Sequence, residues 1–283
     1  MYPVPALAST ASIEIRKSVG PHLVRATTLI KLWGESIMST LDNTLQARRA
    51  AVIERISRAA QAVSRDPTSV RLLAVSKSFG AEVVLQAIRA GQRSFGESYA
   101  QEGVEKIARV RELLGQAEKN GSPAEPLQWH FIGPLQSNKT RQVAEQFDWV
   151  ESLDRIYVAR RLADHRPPEL APLNVLIQVN ISHEPRKAGV HAEHLAALAR
   201  SVASIPRLKL RGVMAIPKPE IDPAQMRAPF RLMRRLFERL RENGHADLDT
   251  LSIGMSTDLE AAIAEGATEV RIGTAIFGER SGP

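Results

Sequence analysis

From residue 42 onward, short runs of consecutive apolar residues alternate with stretches in which apolar residues recur every three or four positions. The first periodic stretch places Leu45, Val52, Ile56, Ala59 and Val63 on one face, with Asp42 as a candidate N-cap. "RLLAVSK" then reads as a strand, followed by a helix from Ala81 to Ala90 that stops at Gly91. "RSFGE" predicts a second strand and Ser98 to Leu114 a second helix. After a Gly/Pro/Ser loop come "LQWHFIG" as a strand, a helix from Asn138 to Gln146, and "DWVESL" as a strand. Asp154 is expected to cap a helix running to His165. "NVLIQVNI" is the most apolar run, the pattern of a strand covered on both faces. The rest alternates in the same way: a helix His191–Ala203, strand "LKLRGVMAI", helix Pro223–Asn243, strand "LDTLSIG", helix Ser256–Gly266 and strand "EVRIG".

Eight strands alternating with helices predict an α/β fold, a single (β/α)8 TIM barrel preceded by an N-terminal helix. A doubly wound open sheet is the second choice, and no G-x-G-x-x-G follows the first strand to favour it. Residues 1–37 break the pattern: they are poor in acids and carry no sustained period, so a disordered extension is expected there, with the barrel domain over 38–283. An upstream start codon is the expected origin of such an extension, with a targeting peptide as the alternative; a secretory signal is not expected, since no apolar core precedes a small-residue cleavage site.

Composition narrows the function. The chain of 283 residues contains no cysteine, which removes thiol nucleophiles, thiolate metal sites and disulfides, and fits a reducing compartment. No run approaches the ~18 apolar residues of a membrane span. The net charge of +7 sits mainly on helical patterns such as "RLMRRLFERLREN", where arginines mix with glutamates. With only 5% aromatic residues, this reads as a solvated basic surface and not as a nucleic-acid site.

In a barrel the C-terminal strand ends converge on one mouth. These ends offer Lys77, Glu97, Ser98, His130, Asn180, Met214, Arg271 and two Gly/Ser/Thr loops, without the carboxylate clusters needed for two-metal chemistry or glycoside hydrolysis. Lys77 at a strand end either caps the strand or, desolvated beside Val75 and near Arg271, acts as a reactive amine. "SIGMSTD" sets Gly254, Ser256 and Thr257 in a loop that opens a helix, and "RIGTAIFG" adds Gly273 and Thr274 after the last strand. Barrels commonly bind phosphate with the loops after strands seven and eight. The alternative is an ordinary N-cap and turn. Opposite a mouth lysine, the two loops favour a phosphorylated aldehyde.

"LLAVSK", "FGESYAQEGVEKI", "WHFIGPLQSNK", "VLIQVNIS" and "LSIGMSTDLEAAIAEGATEVRIGTAIFG" together resemble the pyridoxal phosphate homeostasis protein family, single-barrel relatives of the alanine racemase N-terminal domain. The resemblance runs from about Met38 to Gly278. It implies a fold-type-III barrel that carries pyridoxal 5′-phosphate (PLP) as a Schiff base on Lys77. Ser256, Gly273 and Thr274, helped by Thr257, would hold the phosphate, and Arg271 would face the pyridine nitrogen. Met214 would pack by the ring, with Asn180 and His130 lining the pocket. The chain departs from the family pattern at Phe79, where a lysine is common, and at Ser98, where asparagine is usual. Lys187 stands where the family often has a loop lysine.

The implied function is intracellular PLP homeostasis: buffering PLP or delivering it to PLP-dependent apo-enzymes, from a cytoplasmic monomer without catalytic turnover. A PLP-dependent amino-acid racemase is the alternative. An arginine at the ring nitrogen stays protonated and leaves the ring a weak electron sink. Racemases so arranged need a tyrosine from a second domain, and Tyr2, Tyr99 and Tyr157 do not match that placement.

Overall fold

Strands too apolar to face water on either side must be covered on both, and closing a parallel sheet with helices outside does this without leaving an edge. The computed structural model describes residues 44–118, 126–182, 184, 187–220 and 222–279. The expected extension over 1–37 and the Asp42 cap lie outside them. Eight parallel strands form one closed barrel in sequence order: β1 (Arg71–Val75), β2 (Ser94–Glu97), β3 (Gln128–Phe131), β4 (Trp149–Leu153), β5 (Leu173–Gln178), β6 (Leu208–Met214), β7 (Thr250–Ser252) and β8 (Glu269–Ile272). Closure is made by β8 on β1, with Leu73 opposite Arg271 and Ala74 opposite Ile272.

Helix α1 spans 44–61 and precedes the barrel. The helices between strands are α2 (Ala81–Arg89), α3 (Ala100–Glu118), α4 (Thr140–Gln146), α5 (Ile156–His165), α6 (Leu195–Ala203), α7 (Pro223–Glu242) and α8 (Leu259–Ala264); α9 (Thr274–Phe277) follows β8. Leu45, Val52, Ile56 and Ala59 are buried as their spacing predicts, whereas Val63 lies past the end of α1 and is exposed. Arg65 fastens this end by donating to the carbonyls of Ile263 and Ala267.

Five predicted helix starts shift. The α4 helix begins at Thr140 and not at Asn138, and α6 at Leu195 and not at His191, each behind a single 3-10 turn. The other three are those of α3, α5 and α8. The α3 helix begins at Ala100 and not at Ser98. The N-cap of α5 is Arg155, with Asp154 paired to it and not to the helix amides. The α8 helix starts only at Leu259, because the Asp258 carboxylate accepts the Met255 N–H and closes a separate turn over 255–258. A short acidic side chain competes well for nearby backbone donors, so it stops a helix as readily as it caps one.

Glycines mark where backbones approach. Gly212 of β6 has φ +157°, and a Cβ there would lie 1.7 Å from the Thr250 carbonyl oxygen of β7. Gly115 in α3 has only open space around its missing Cβ. Gly212→Ala is therefore expected to cost about 3 kcal/mol, the upper end of overpacking penalties, and to lower Tm by roughly 6–12 °C. Gly115→Ala should gain about 0.5–1 kcal/mol by restricting the unfolded chain. Thermal melts of both variants followed by circular dichroism check the pair.

Candidate functional site

The strand ends surround a cavity of about 440 Å³ at the barrel mouth. Val75 and Lys77 follow β1, Ser98 and Tyr99 follow β2, and Ile132, Gly133 and Pro134 follow β3. The opposite wall comes from Met255, Ser256 and Thr257 after β7, with Arg271, Gly273 and Thr274 from β8 onward. Six of the residues anticipated from sequence thus meet: Lys77, Ser256, Thr257, Arg271, Gly273 and Thr274.

Lys77 is half-buried in a tight turn whose next residue, Ser78, has φ +68°, a left-handed conformation unusual for a residue with a Cβ. Phe79 then packs against Phe277 of α9, ring centroids 5.1 Å apart. The β1 turn is thereby tied to the segment that carries Gly273 and Thr274.

The wall opposite is rich in unspent donors. Among the described residues, the hydroxyls of Ser256, Thr257 and Thr274 donate to no protein acceptor. Gly254, at φ +94°, makes the turn into this loop, and a Cβ there would sit 2.5 Å from the Ala262 Cβ. Gly273 approaches β1 so closely that a Cβ would contact the Val75 carbonyl at 3.3 Å. Since α8 starts at Leu259, Ser256 and Thr257 stand in the turn before it, and only Gly273–Thr274 adjoin a helix start directly.

Arg271 is buried, and its position is fixed from below. Nη1 donates to the Ser252 carbonyl and hydroxyl, each at 2.7 Å, and Nη2 to the Ala215 carbonyl at 2.8 Å. Nε takes part in none of these bonds. The Ser252 hydroxyl donates to Glu151 Oε2 at 2.7 Å, and Glu151 Oε1 meets His130 Nδ1 at 2.7 Å. Burial draws the Arg271 guanidinium below its ordinary value, while Glu151, Glu269 and Asp258 oppose that shift by their charge.

His130, Met214 and Asn180 are not among the residues lining the cavity. His130 lies inside the barrel, stacked on Trp149 with ring centroids 5.0 Å apart. Met214 is fully buried with Trp149 and Leu176. Asn180 holds the loop after β5 by donating to the Glu184 and Lys187 carbonyls. In that loop Lys187 pairs with Glu184 at 2.6 Å. His130 and Met214 do face the barrel interior but lie below the cavity, and the depth of an inward residue follows from strand register and barrel tilt, which composition alone does not fix. Tyr99, Ile132 and Ile216 were the residues missed. Their signal is position: each stands one to three residues beyond a strand end, where a barrel builds its site.

His130, Glu151 and Glu269 bring ligand-type atoms within 4.8 Å of one another. Arg71 reaches Glu269 at 3.4 Å and Arg271 reaches Glu151 through Ser252, so two guanidiniums already supply cationic charge. Burial, reinforced by the charge of Glu151, pushes Glu269 up to about 7. Burial pushes His130 down to about 4. Near neutral pH the interior thus shares a proton with the Glu269 carboxyl about half the time and leaves the imidazole neutral.

A closed parallel barrel with a mouth lysine, an arginine under the cavity and a hydroxyl-rich wall defines a class, and the profile of the alanine racemase N-terminal domain matches residues 48–281. The pyridoxal phosphate homeostasis protein of Escherichia coli (strain K12) is 51% identical over 84% of this chain and 97% of its own. That of Pseudomonas aeruginosa is also 51% identical, over 84% of this chain and 96% of its own. The structure of PipY from Synechococcus elongatus with PLP bound superposes with a TM-score of 0.69 at 34% identity, covering 83% of this chain and all of PipY. The chain belongs to the pyridoxal phosphate homeostasis protein family.

The buried acid and imidazole act on stability in opposite directions. Glu269 binds its proton more tightly folded than unfolded, so its contribution is complete below about 4.5 and is lost as pH rises through about 7. His130 binds its proton less tightly folded, so its contribution is lost as pH falls from about 6.5 to about 4. The two slopes offset each other in the wild type. Glu269→Gln is expected to expose the histidine slope, with stability rising from pH 4 to 6.5, and His130→Gln the opposite slope up to pH 7. Urea denaturation across this range checks both.

Proposed function

We propose that this chain binds pyridoxal 5′-phosphate at the barrel mouth, with Lys77 as the covalent anchor, and stores or delivers it inside the cell. One observation carries the reading: a single cavity joins the Lys77 amine, the buried Arg271 guanidinium and the donor wall of Ser256, Thr257, Gly273 and Thr274. The donor set suits a phosphate, because three hydroxyls uncommitted within the protein can turn their hydrogens towards an anion. Arg271 suits an aromatic ring nitrogen that stays unprotonated, since a guanidinium only donates. When bound, the cofactor supplies an aldehyde that condenses with amines and a ring that withdraws electrons.

The protein's own groups do the rest. Lys77 presents an amine from a turn of fixed geometry, and Arg271 remains charged because Glu151 faces it through Ser252. The relatives at 51% identity are named for PLP homeostasis, which supports storage and hand-over to PLP-dependent apo-enzymes of the cytoplasm over turnover. A neutral ring is a poor electron sink, which also disfavours carbanion chemistry. A second reading, amino-acid racemisation, is kept for one observation: the phenol of Tyr99 stands exposed on the cavity rim.

Purified protein mixed with PLP is expected to gain a visible absorption band. Lys77→Ala should abolish it, and borohydride reduction followed by peptide mapping should place the added mass on Lys77. A colourless wild type sinks the proposal. Racemisation of any amino acid from a broad panel, lost in Tyr99→Phe, would replace storage by the second reading.

A further inference from the structure

The turn that carries Lys77 is gripped from outside the barrel by charged groups that no step above uses. Lys106 of α3 is 5% exposed, and its ammonium donates to three oxygens. These are the Ser76 carbonyl at 2.8 Å, Glu97 Oε1 at 2.7 Å and Glu102 Oε1 at 2.9 Å. The same Glu97 oxygen accepts the Ser76 hydroxyl at 2.6 Å, and Glu102 Oε1 accepts the Ser78 N–H at 2.5 Å. Both neighbours of Lys77 are therefore bound to one buried ammonium, directly at Ser76 and through Glu102 at Ser78. All three ammonium hydrogens are spent on this.

Two further features show that the site is built around this contact. Gly103, one turn before Lys106, has no room for a side chain: a Cβ would meet the Phe147 ring at 2.6 Å and the Glu97 Cβ at 3.2 Å. A side chain there would push α3 away from the end of β2. Glu97 is fully buried, and its second oxygen, Oε2, has no hydrogen-bond partner. Burial raises the Glu97 carboxyl, and the Lys106 charge opposes that rise.

Stability alone does not explain such an arrangement. Withdrawing an ion pair from water costs several kcal/mol per ion, and well-packed apolar residues of the same volume hold a fold as firmly. What an apolar pair lacks is the ability to grip a carbonyl and, by way of a carboxylate, an N–H on either side of one residue. Ser78 also sits in a left-handed conformation that its neighbours have to impose.

We propose that Lys106, with Glu97 and Glu102, is a positioning residue for Lys77, fixing the turn from which that amine reaches the cavity. The proposal rests on PLP binding at Lys77 as set out above. Lys106 touches no ligand. Its effect falls on the direction of the Lys77 side chain and not on the phosphate wall, which lies on other strands.

The test separates covalent capture from recognition. Capture is the rate at which the PLP band forms on Lys77, trapped by borohydride. Recognition is the affinity for pyridoxine 5′-phosphate, which has the phosphate and ring but no aldehyde. Lys106→Met should slow capture by about tenfold or more, since misplacing a reacting group by ~1 Å costs up to about 100-fold. Affinity for the alcohol analogue should not change. Lys106→Met combined with Glu97→Gln removes the unpaired buried carboxylate and should recover thermal stability, while capture stays slow. A purely structural role predicts that capture recovers with stability, and that result overturns the proposal. Glu102→Ala, which frees the Ser78 N–H from a partly exposed position, should slow capture in a protein that folds normally; capture at the wild-type rate overturns the proposal as well. Failure of the wild type to bind either compound refutes the functional reading itself and the positioning role with it.

Discussion

The pairing of β8 with β1 is the constraint on which the site depends. Lys77 follows the first strand, while Arg271, Gly273 and Thr274 belong to the last, so nothing local brings them together. Their meeting is set by a register in which Leu73 stands opposite Arg271 and Ala74 opposite Ile272. A slip of one residue would turn every side chain of β8 to the other face and carry Arg271 out of the barrel. The cost of closing so long a chain grows only slowly with its length, and burial along the joined strands offsets it. Helix α1 reinforces the joint from outside. Arg55 pairs with Glu260 at 2.9 Å, and Arg49 donates to the Gly91 carbonyl.

Closure also decides what the barrel must contain. A buried guanidinium is expensive unless its charge is met. The interior meets it with Glu151, through the Ser252 hydroxyl, and then has to satisfy Glu151 in turn. His130, neutral, takes the second Glu151 oxygen, and beside them burial and the charge of Glu151 raise Glu269 to about 7. Below lie Arg71 and Arg211, both over the Trp149 ring. The apolar filling of such a barrel is here partly displaced, and Trp149, Leu176 and Met214 form a small cluster of their own. The polar core follows from the one charge the mouth requires, and it holds that charge in a single orientation.

The barrel was legible from periodicity because parallel strands and amphipathic helices differ so plainly in pattern. Lys77 and the two Gly/Ser/Thr loops were legible because turn residues and a lone cation stand out at strand ends. His130, Met214 and Asn180 show where that reasoning stops. All three lie at or beside a strand end, yet two point into the packed interior and the third holds its own loop. The depth of an inward residue is decided by strand register and barrel tilt, which no single strand encodes. Lys106 shows the opposite failure. In "QEGVEKI" it looks like one more exposed helical lysine, and only tertiary packing against Gly103 and Glu97 reveals a buried cation. The α8 start was missed for a local reason, since Asp258 spends its carboxylate on the Met255 amide.

Phe79 acts on the mouth through packing. A lysine at 79 would add a second amine near the mouth; Phe79 instead buries its ring against Phe277. Offset and tilted ring pairs add about 0.5–1.5 kcal/mol beyond the area they bury. That contact couples the turn carrying the amine to α9, and so to Gly273 and Thr274 at its start. The Lys77 turn is then held on two sides, by the ammonium of Lys106 from α3 and by an aromatic pair from α9. A turn held from one side can pivot about that contact; held from both it is restrained relative to the Gly273–Thr274 segment across the mouth. Phe79 thus contributes a restraint where a lysine would contribute a second amine.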